Sequence, residues 1–185
     1  MNHKRRKKQS KKMKPVILIF CEGDTEEVYV NSLRKQYKLP IKVITRITGL
    51  SVSPNIIHRY IQAERIGHGD KITSFLMYDL DNEEISKKLS SCKESIIIAS
   101  NPSVELWFLL HAVMQNAAIS TDNCIDKLKK STPDWTNYRK GSLSEKQKQF
   151  LWNNRRLASE RAKELKENAN PSSSVYRLVD MMDEI

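Results

Sequence analysis

Asp79 and Asp81 sit in the stretch "MYDLDN", residues 77–82, directly after the apolar run Phe75-Leu76-Met77-Tyr78. Two carboxylates this near repel, and each raises the other's pKa. Such a pair needs either water or a cation. In a strand, residues i and i+2 point to the same side, so Asp79 and Asp81 can converge on one point. Glu22-Gly23 follows an earlier apolar run, and Glu105 comes shortly after Ser100-Asn101-Pro102. Three or four carboxylates without fixed cationic partners suit a hard divalent cation. Mg2+ and Mn2+ take oxygen ligands and keep some of their waters. One such ion, or a pair, can orient a phosphate, activate water and stabilise a leaving oxygen. Gly23 would let the backbone pass close to a phosphate with no side chain in the way.

Each of these residues also has a plainer reading. An isolated DxD can be a simple turn, and Glu22 can be a solvated loop acid. Glu26 and Glu27 fall at a helix start, where acids favour the helix dipole. Glu27 stands three residues after Asp24, the spacing of a capping box, so capping is its better explanation. Glu26 stays open between dipole and chemistry. Glu105 is one position too late to box with Asn101, which leaves first-turn dipole stabilisation and chemistry both open for it. Trp107, Phe108, Leu109 and Leu110 read as core, and His111 as a satisfied structural histidine.

The elements that must position these groups alternate along residues 15–115. "VILIFC" (16–21), "IKVITRI" (41–47), "ITSFLMYDLD" (72–81) and "SIIIAS" (95–100) read as strands. The first is a continuous apolar run, as for a strand covered on both faces. "DTEEVYVNSLRKQY", with Asp24 as N-cap, "SPNIIHRYIQAER", "EEISKKLSSC" and "NPSVELWFLLHAVM", with Asn101 as N-cap and Pro102 at N1, read as the intervening helices. A β-α alternation of this kind predicts a parallel α/β sheet of about four strands with right-handed crossovers. Ligands then bind beyond the carboxyl ends of the strands, near the switch in strand order. An order 2-1-3-4 would set the ends of strands one, three and four side by side. Residues 116–185 read as a helical C-terminal extension packed on this core. Its long segment "SEKQKQFLWNNRRLASERAKELKEN" alternates acids and bases, as a solvated face does.

The chain has 185 residues and a formal net charge of +10, and eight Lys and Arg with no acid fall in the first 14 residues, "MNHKRRKKQSKKMK". Residues 1–14 therefore read as a basic, disordered arm on a nearly balanced body. Lys4, Arg5, Arg6, Lys7 and Lys8 are its candidates for holding nucleic-acid phosphates; a solubilising tail is the alternative. No run approaches the roughly 20 apolar residues of a membrane span. The six-residue "VILIFC" is too short for the core of a signal peptide. Cys21, Cys92 and Cys124 are odd in number and far apart, which fits neither a zinc site nor a disulfide framework and favours reduced thiols in a cytoplasm.

Several motifs resemble a known family. "FCEGDTEEVYV" resembles the "EGxTE" opening of Toprim domains in the OLD and RloB-like groups, and "YDLDN" looks like the Toprim DxD. "SNPSVELWFLLH" is similar to a signature of RloB-like proteins, and "YRKG" and "NPSSSVYRLV" also resemble that family. The resemblance runs from about residue 15 to about residue 180. "EGxTE" and DxD are moderately specific, and in order with "SNPxxELWxLLH" they are highly specific. Asp24 in "EGDTE" falls where the family tolerates several residues.

The resemblance implies a Toprim-like fold with metal-dependent phosphodiester chemistry on DNA or RNA, with Mg2+ or Mn2+ as cofactor. It implies Glu22 as general acid/base or ligand, Asp79 and Asp81 as metal ligands, and Glu105 as an additional acidic group. Lys140 becomes a candidate for phosphate binding, with a solvated loop lysine as its alternative. The family is associated with restriction and anti-phage loci, often beside an ATPase partner. A transfer RNA substrate fits such a role, though no motif demands it.

Other classes fit less well. A topoisomerase needs a nucleophilic tyrosine on further domains, and a primase of this class brings a zinc module. Haloacid-type phosphatases carry DxD after the first strand, whereas here it follows the third. A non-catalytic nucleic-acid-binding subunit remains the main alternative to a nuclease. Clustered acids argue against it, because they repel phosphate.

Overall fold

Val16–Cys21 forms a strand, β1, whose six side chains are all buried. Its side chains alternate between two hydrophobic clusters: Ile17, Ile19 and Cys21 join one, and Val16, Leu18 and Phe20 the other. A strand buried on both faces belongs in the middle of a sheet, and β1 lies there. The computed structural model describes residues 16–38, 42–64, 72–80 and 82–185. The basic arm and Asp81 lie outside the described residues.

The elements run β1, α1 (Asp24–Tyr37), β2 (Lys42–Ile47), α2 (Pro54–Ala63), β3 (Ile72–Asp79), α3 (Glu83–Ser91), β4 (Ile96–Asn101), α4 (Val104–Ala112), α5 (Thr121–Ser131), α6 (Glu145–Lys163), β5 (Ser172–Ser173) and α7 (Tyr176–Asp183). The sheet order is β2-β1-β3-β4-β5. The first four strands are parallel, in the 2-1-3-4 arrangement that aligns the ends of β1, β3 and β4. The α/β class, the parallel sheet flanked by helices and the helical C-terminal part are as expected. The four parallel strands are as expected, and a two-residue strand adds to them: β5 pairs antiparallel with the end of β4, Ser100 opposite Ser173 and Asn101 opposite Ser172. Two serines have no apolar periodicity to announce a strand.

The chain leaves β1 toward β2 and then returns across it to β3. The switch in strand order therefore falls between β1 and β3, the point where open α/β sheets leave a crevice. The cluster around Ile17 takes in α1, α4 and the later helices, so Leu151, Val175 and Met182 share one core with Trp107 and Phe108. The cluster around Leu18 takes in α2 and α3. Among the described residues, no helix is long and apolar enough to cross a membrane.

Two helix starts differ from expectation. The N-cap of α1 is Gly23, not Asp24, and the capping glutamate is Glu26, whose Oε2 accepts the Gly23 N–H at 3.0 Å. Glu27 instead accepts from the Thr45 hydroxyl of β2 at 2.8 Å. Asn101 ends β4 rather than capping α4, whose N-cap is Ser103. The β4–β5 ladder accounts for the shift, because pairing with Ser172 keeps Asn101 extended.

Candidate active site

Four acids gather at the β1–β3 switch. Glu22 continues β1 by one residue, its N–H donating to the Met77 carbonyl at 3.0 Å. Its Oε2 accepts the Asp79 N–H at 2.9 Å, so the end of β3 is fastened to the end of β1 through a carboxylate. Asp79 is the last residue of β3 and lies opposite Ser100 of β4. Glu26, one turn into α1, is buried. Glu105, at the start of α4, is 0 % exposed.

Glu105 is held on both oxygens. Oε1 accepts from the Tyr138 hydroxyl at 2.8 Å, and Oε2 from the Ser103 hydroxyl at 2.7 Å. Lys140 brings its Nζ within 3.7 Å of Oε2 while its side chain stays 54 % exposed. The loop carrying Lys140 is docked on the start of α1, since the Gly141 N–H donates to Thr25 Oγ1 at 2.8 Å. Gly141 has φ +77, a conformation other side chains rarely adopt, and a Cβ there would stand 3.5 Å from that of Asp24. The "YRKG" and "EGDTE" segments, more than a hundred residues apart, thus meet at one site.

The electrostatics follow from burial and like charge. Burial, and then Glu26, Glu22 and Glu105, push the Asp79 carboxyl up to about 9, against a smaller opposite pull from Lys140. Asp79 Oδ1 is buried and has no hydrogen-bond partner among the described residues. Burial also raises Glu26, more than the hydrogen bond from the Gly23 N–H lowers it. Burial, followed by the adjacent Glu105 charge, holds the Tyr138 phenol well above its ordinary value.

The donor set fits a hard divalent cation in two respects: it is all oxygen, and it includes a buried oxygen that no other described residue satisfies. In one respect it falls short. Among the described residues no three His, Cys, Asp or Glu side chains are grouped closely enough to hold an ion. Asp81, the further ligand expected from the sequence, is outside those residues, as are Lys4, Arg5, Arg6, Lys7 and Lys8.

The structure brings together Glu22, Glu26, Asp79, Glu105 and Lys140. Sequence reasoning missed Ser103, Tyr138 and Thr25, the hydroxyls that hold Glu105 and the Lys140 loop. All three lie inside segments singled out by resemblance, but a hydroxyl carries no spacing signal of its own. His111 is fully buried. Its Nδ1 contacts the Trp107 carbonyl at 2.8 Å, its ring meets the Trp107 ring edge-on, and burial lowers its pKa to about 3. The sequence predicts a satisfied structural histidine; Nδ1 has its partner, but Nε2 is buried with none among the described residues.

No curated protein matches this chain. Among solved structures, the C-terminal region of the Burkholderia pseudomallei OLD protein aligns at 13 % identity and a TM-score of 0.39, over 91 % of this chain and 96 % of that one. The model of the RloB-like protein family matches residues 17–182, nearly the whole length, and the chain belongs to that family.

Proposed function

We propose that this protein is a metal-dependent nuclease that hydrolyses phosphodiester bonds in DNA or RNA, transfer RNA included, in anti-phage or restriction-linked defence. The buried, unpartnered oxygen of Asp79, ringed by Glu22, Glu26 and Glu105, supports this reading most strongly. A bare carboxylate there is held protonated near neutral pH, and an added cation would let it ionise. Glu22, Asp79 and Asp81 would hold Mg2+ or Mn2+. The ion would supply charge stabilisation at a phosphate and a water of lowered pKa.

The chain's own groups have separable tasks. Glu22 fixes the main chain of Asp79 through its hydrogen bond, at the β1–β3 switch where a general acid/base or a metal ligand is expected. Glu105 anchors the Lys140 ammonium, which stays exposed enough to meet a phosphate oxygen. Ser103 and Tyr138 keep Glu105 oriented. Glu26 holds the Gly23 turn and contributes negative charge when ionised.

A second reading, a nucleic-acid-binding Toprim-like subunit that works beside an ATPase partner, is favoured by one observation: the absence of three grouped ligands among the described residues. End-labelled single-stranded DNA, duplex DNA and total transfer RNA, incubated with protein and Mg2+ or Mn2+, separate the two. Metal-dependent cutting that is lost in Asp79→Asn/Asp81→Asn is the result expected of a nuclease. Equal binding by both proteins, with no cutting under either metal, would favour the subunit.

A further inference from the structure

Two large apolar side chains stand exposed beside the acidic cluster, Ile47 at 42 % and Leu50 at 59 %. Both belong to the segment that leaves β2 at the same end of the sheet as Glu22. Thr48 donates its N–H to the Cys21 carbonyl at 3.0 Å, one residue before Glu22. A Cβ on Gly49 would stand 3.7 Å from the Glu22 carbonyl oxygen. The segment is firmly held. The Tyr78 hydroxyl donates to the Gly49 carbonyl at 3.0 Å and pairs with the Thr48 hydroxyl. Lys88 Nζ donates to the Leu50 carbonyl at 3.0 Å, and the Ser51 N–H to the Thr48 carbonyl at 3.0 Å. A rigid segment that keeps apolar side chains in water presents a surface suited to a ligand.

Behind the rim lies a groove of about 380 Å3, lined by Ile47, Thr48, Ile56, Arg59, Tyr60 and Ala63 among others. None of its described lining residues is acidic. Arg59 is exposed and forms no ion pair with a described residue. An apolar trough with an exposed guanidinium complements a flat base joined to a phosphate. In a duplex the faces of the bases are stacked away, so only an unpaired strand offers this combination.

We propose that Ile47, Leu50 and the adjoining groove seat an unpaired nucleobase flanking the phosphate at the acidic cluster, so that the substrate is single-stranded or locally unpaired nucleic acid. This assignment rests on the nuclease reading of that cluster. Arg59 takes the neighbouring phosphate, and Leu50 packs against the base.

The test is binding by the full chain in EDTA, where no cutting occurs. The probes are a 2-aminopurine-labelled oligonucleotide as a single strand and the same oligonucleotide in duplex. Wild type is expected to change the 2-aminopurine emission and to prefer the single strand by about tenfold, the ratio given by 1.4 kcal/mol of differential binding. Ile47→Ala/Leu50→Ala is expected to lose that preference with its thermal melting and its duplex affinity unchanged. Equal wild-type affinity for strand and duplex would overturn the proposal. So would a double variant that keeps the preference, or a wild type that binds neither form. A wild type that prefers the single strand in EDTA yet never cuts with metal would sink the nuclease reading while upholding the groove.

Discussion

The main-chain N–H of Asp79 donates to the Glu22 carboxylate across 2.9 Å, while one oxygen of the Asp79 carboxylate is buried without a partner among the described residues. One acid is spent holding the other in place, at the switch between β1 and β3. Burying an ionised carboxylate without a partner is costly, and it takes up a proton instead. Without a cation this group is caught between burial and ionisation, a conflict that a divalent cation would relieve.

That conflict sets a pH dependence. In chelator, native Asp79 keeps its proton up to about 9, whereas the unfolded group releases it near its ordinary value of 3.8. Between these values the native state binds more protons, so stability falls as pH rises through the window. Asp79→Asn removes this slope. At pH 8 without metal it should melt at least about 2–4 °C above wild type, the shift that about 1 kcal/mol produces in a domain this size. The difference should vanish toward pH 4. Mg2+ should raise the melting temperature of wild type and leave the variant unmoved. Melting curves that stay parallel across pH would refute the assignment.

Tyr138→Phe strips one hydrogen bond from the fully buried Glu105. An unsatisfied charged group of this kind costs about 1–3 kcal/mol, which chemical denaturation would measure. The change should also lower cleavage more than it weakens substrate binding, because Glu105 anchors Lys140. Tyr138→Phe/Glu105→Gln should recover part of the stability and none of the activity.

His111 should contribute nothing to a pH–rate profile. Its native pKa lies at about 3, so its imidazole stays neutral from pH 5 to 8, and NMR should find no titration there. In acid the sign is opposite to that of Asp79. Between about 3 and its ordinary 6.5 the unfolded chain binds the extra proton, so this group's contribution to stability is lost as pH falls.

The basic arm and Lys140 should separate by salt. Removing residues 1–14 deletes eight cations and should flatten the dependence of nucleic-acid affinity on salt by several units of slope. Lys140→Ala should change that slope by about one unit at most and lower cleavage at least about tenfold. Fluorescence anisotropy across a salt series, paired with cleavage rates, distinguishes the two.

Much of the frame was legible because apolar patterning is a local signal. The four parallel strands stand within a residue or two of where their runs place them, and the "EG" segment and Asp79 lie at the strand ends. What was hidden depends on contacts between distant parts of the chain. The strand Ser172–Ser173 exists because Ser100 and Asn101 offer it an edge. Asn101 was expected to cap α4, and the same pairing draws it into β4. Glu27 had the better capping spacing from Asp24, yet Glu26 caps because the N-cap falls one residue earlier, at Gly23. Tyr138 reaches Glu105, and Gly141 reaches Thr25, only through tertiary packing, which no spacing rule encodes, whereas Ser103 is a local partner two residues before Glu105.

The most direct measurement is cleavage of a phosphorothioate-substituted substrate in Mg2+ and then in Mn2+. If a hard cation meets the phosphate at Glu22, Asp79 and Asp81, sulfur should slow cutting in Mg2+ and Mn2+ should restore it, with no cutting by Asp79→Asn in either metal. Cutting that persists in EDTA, or that survives Asp79→Asn, would contradict the account.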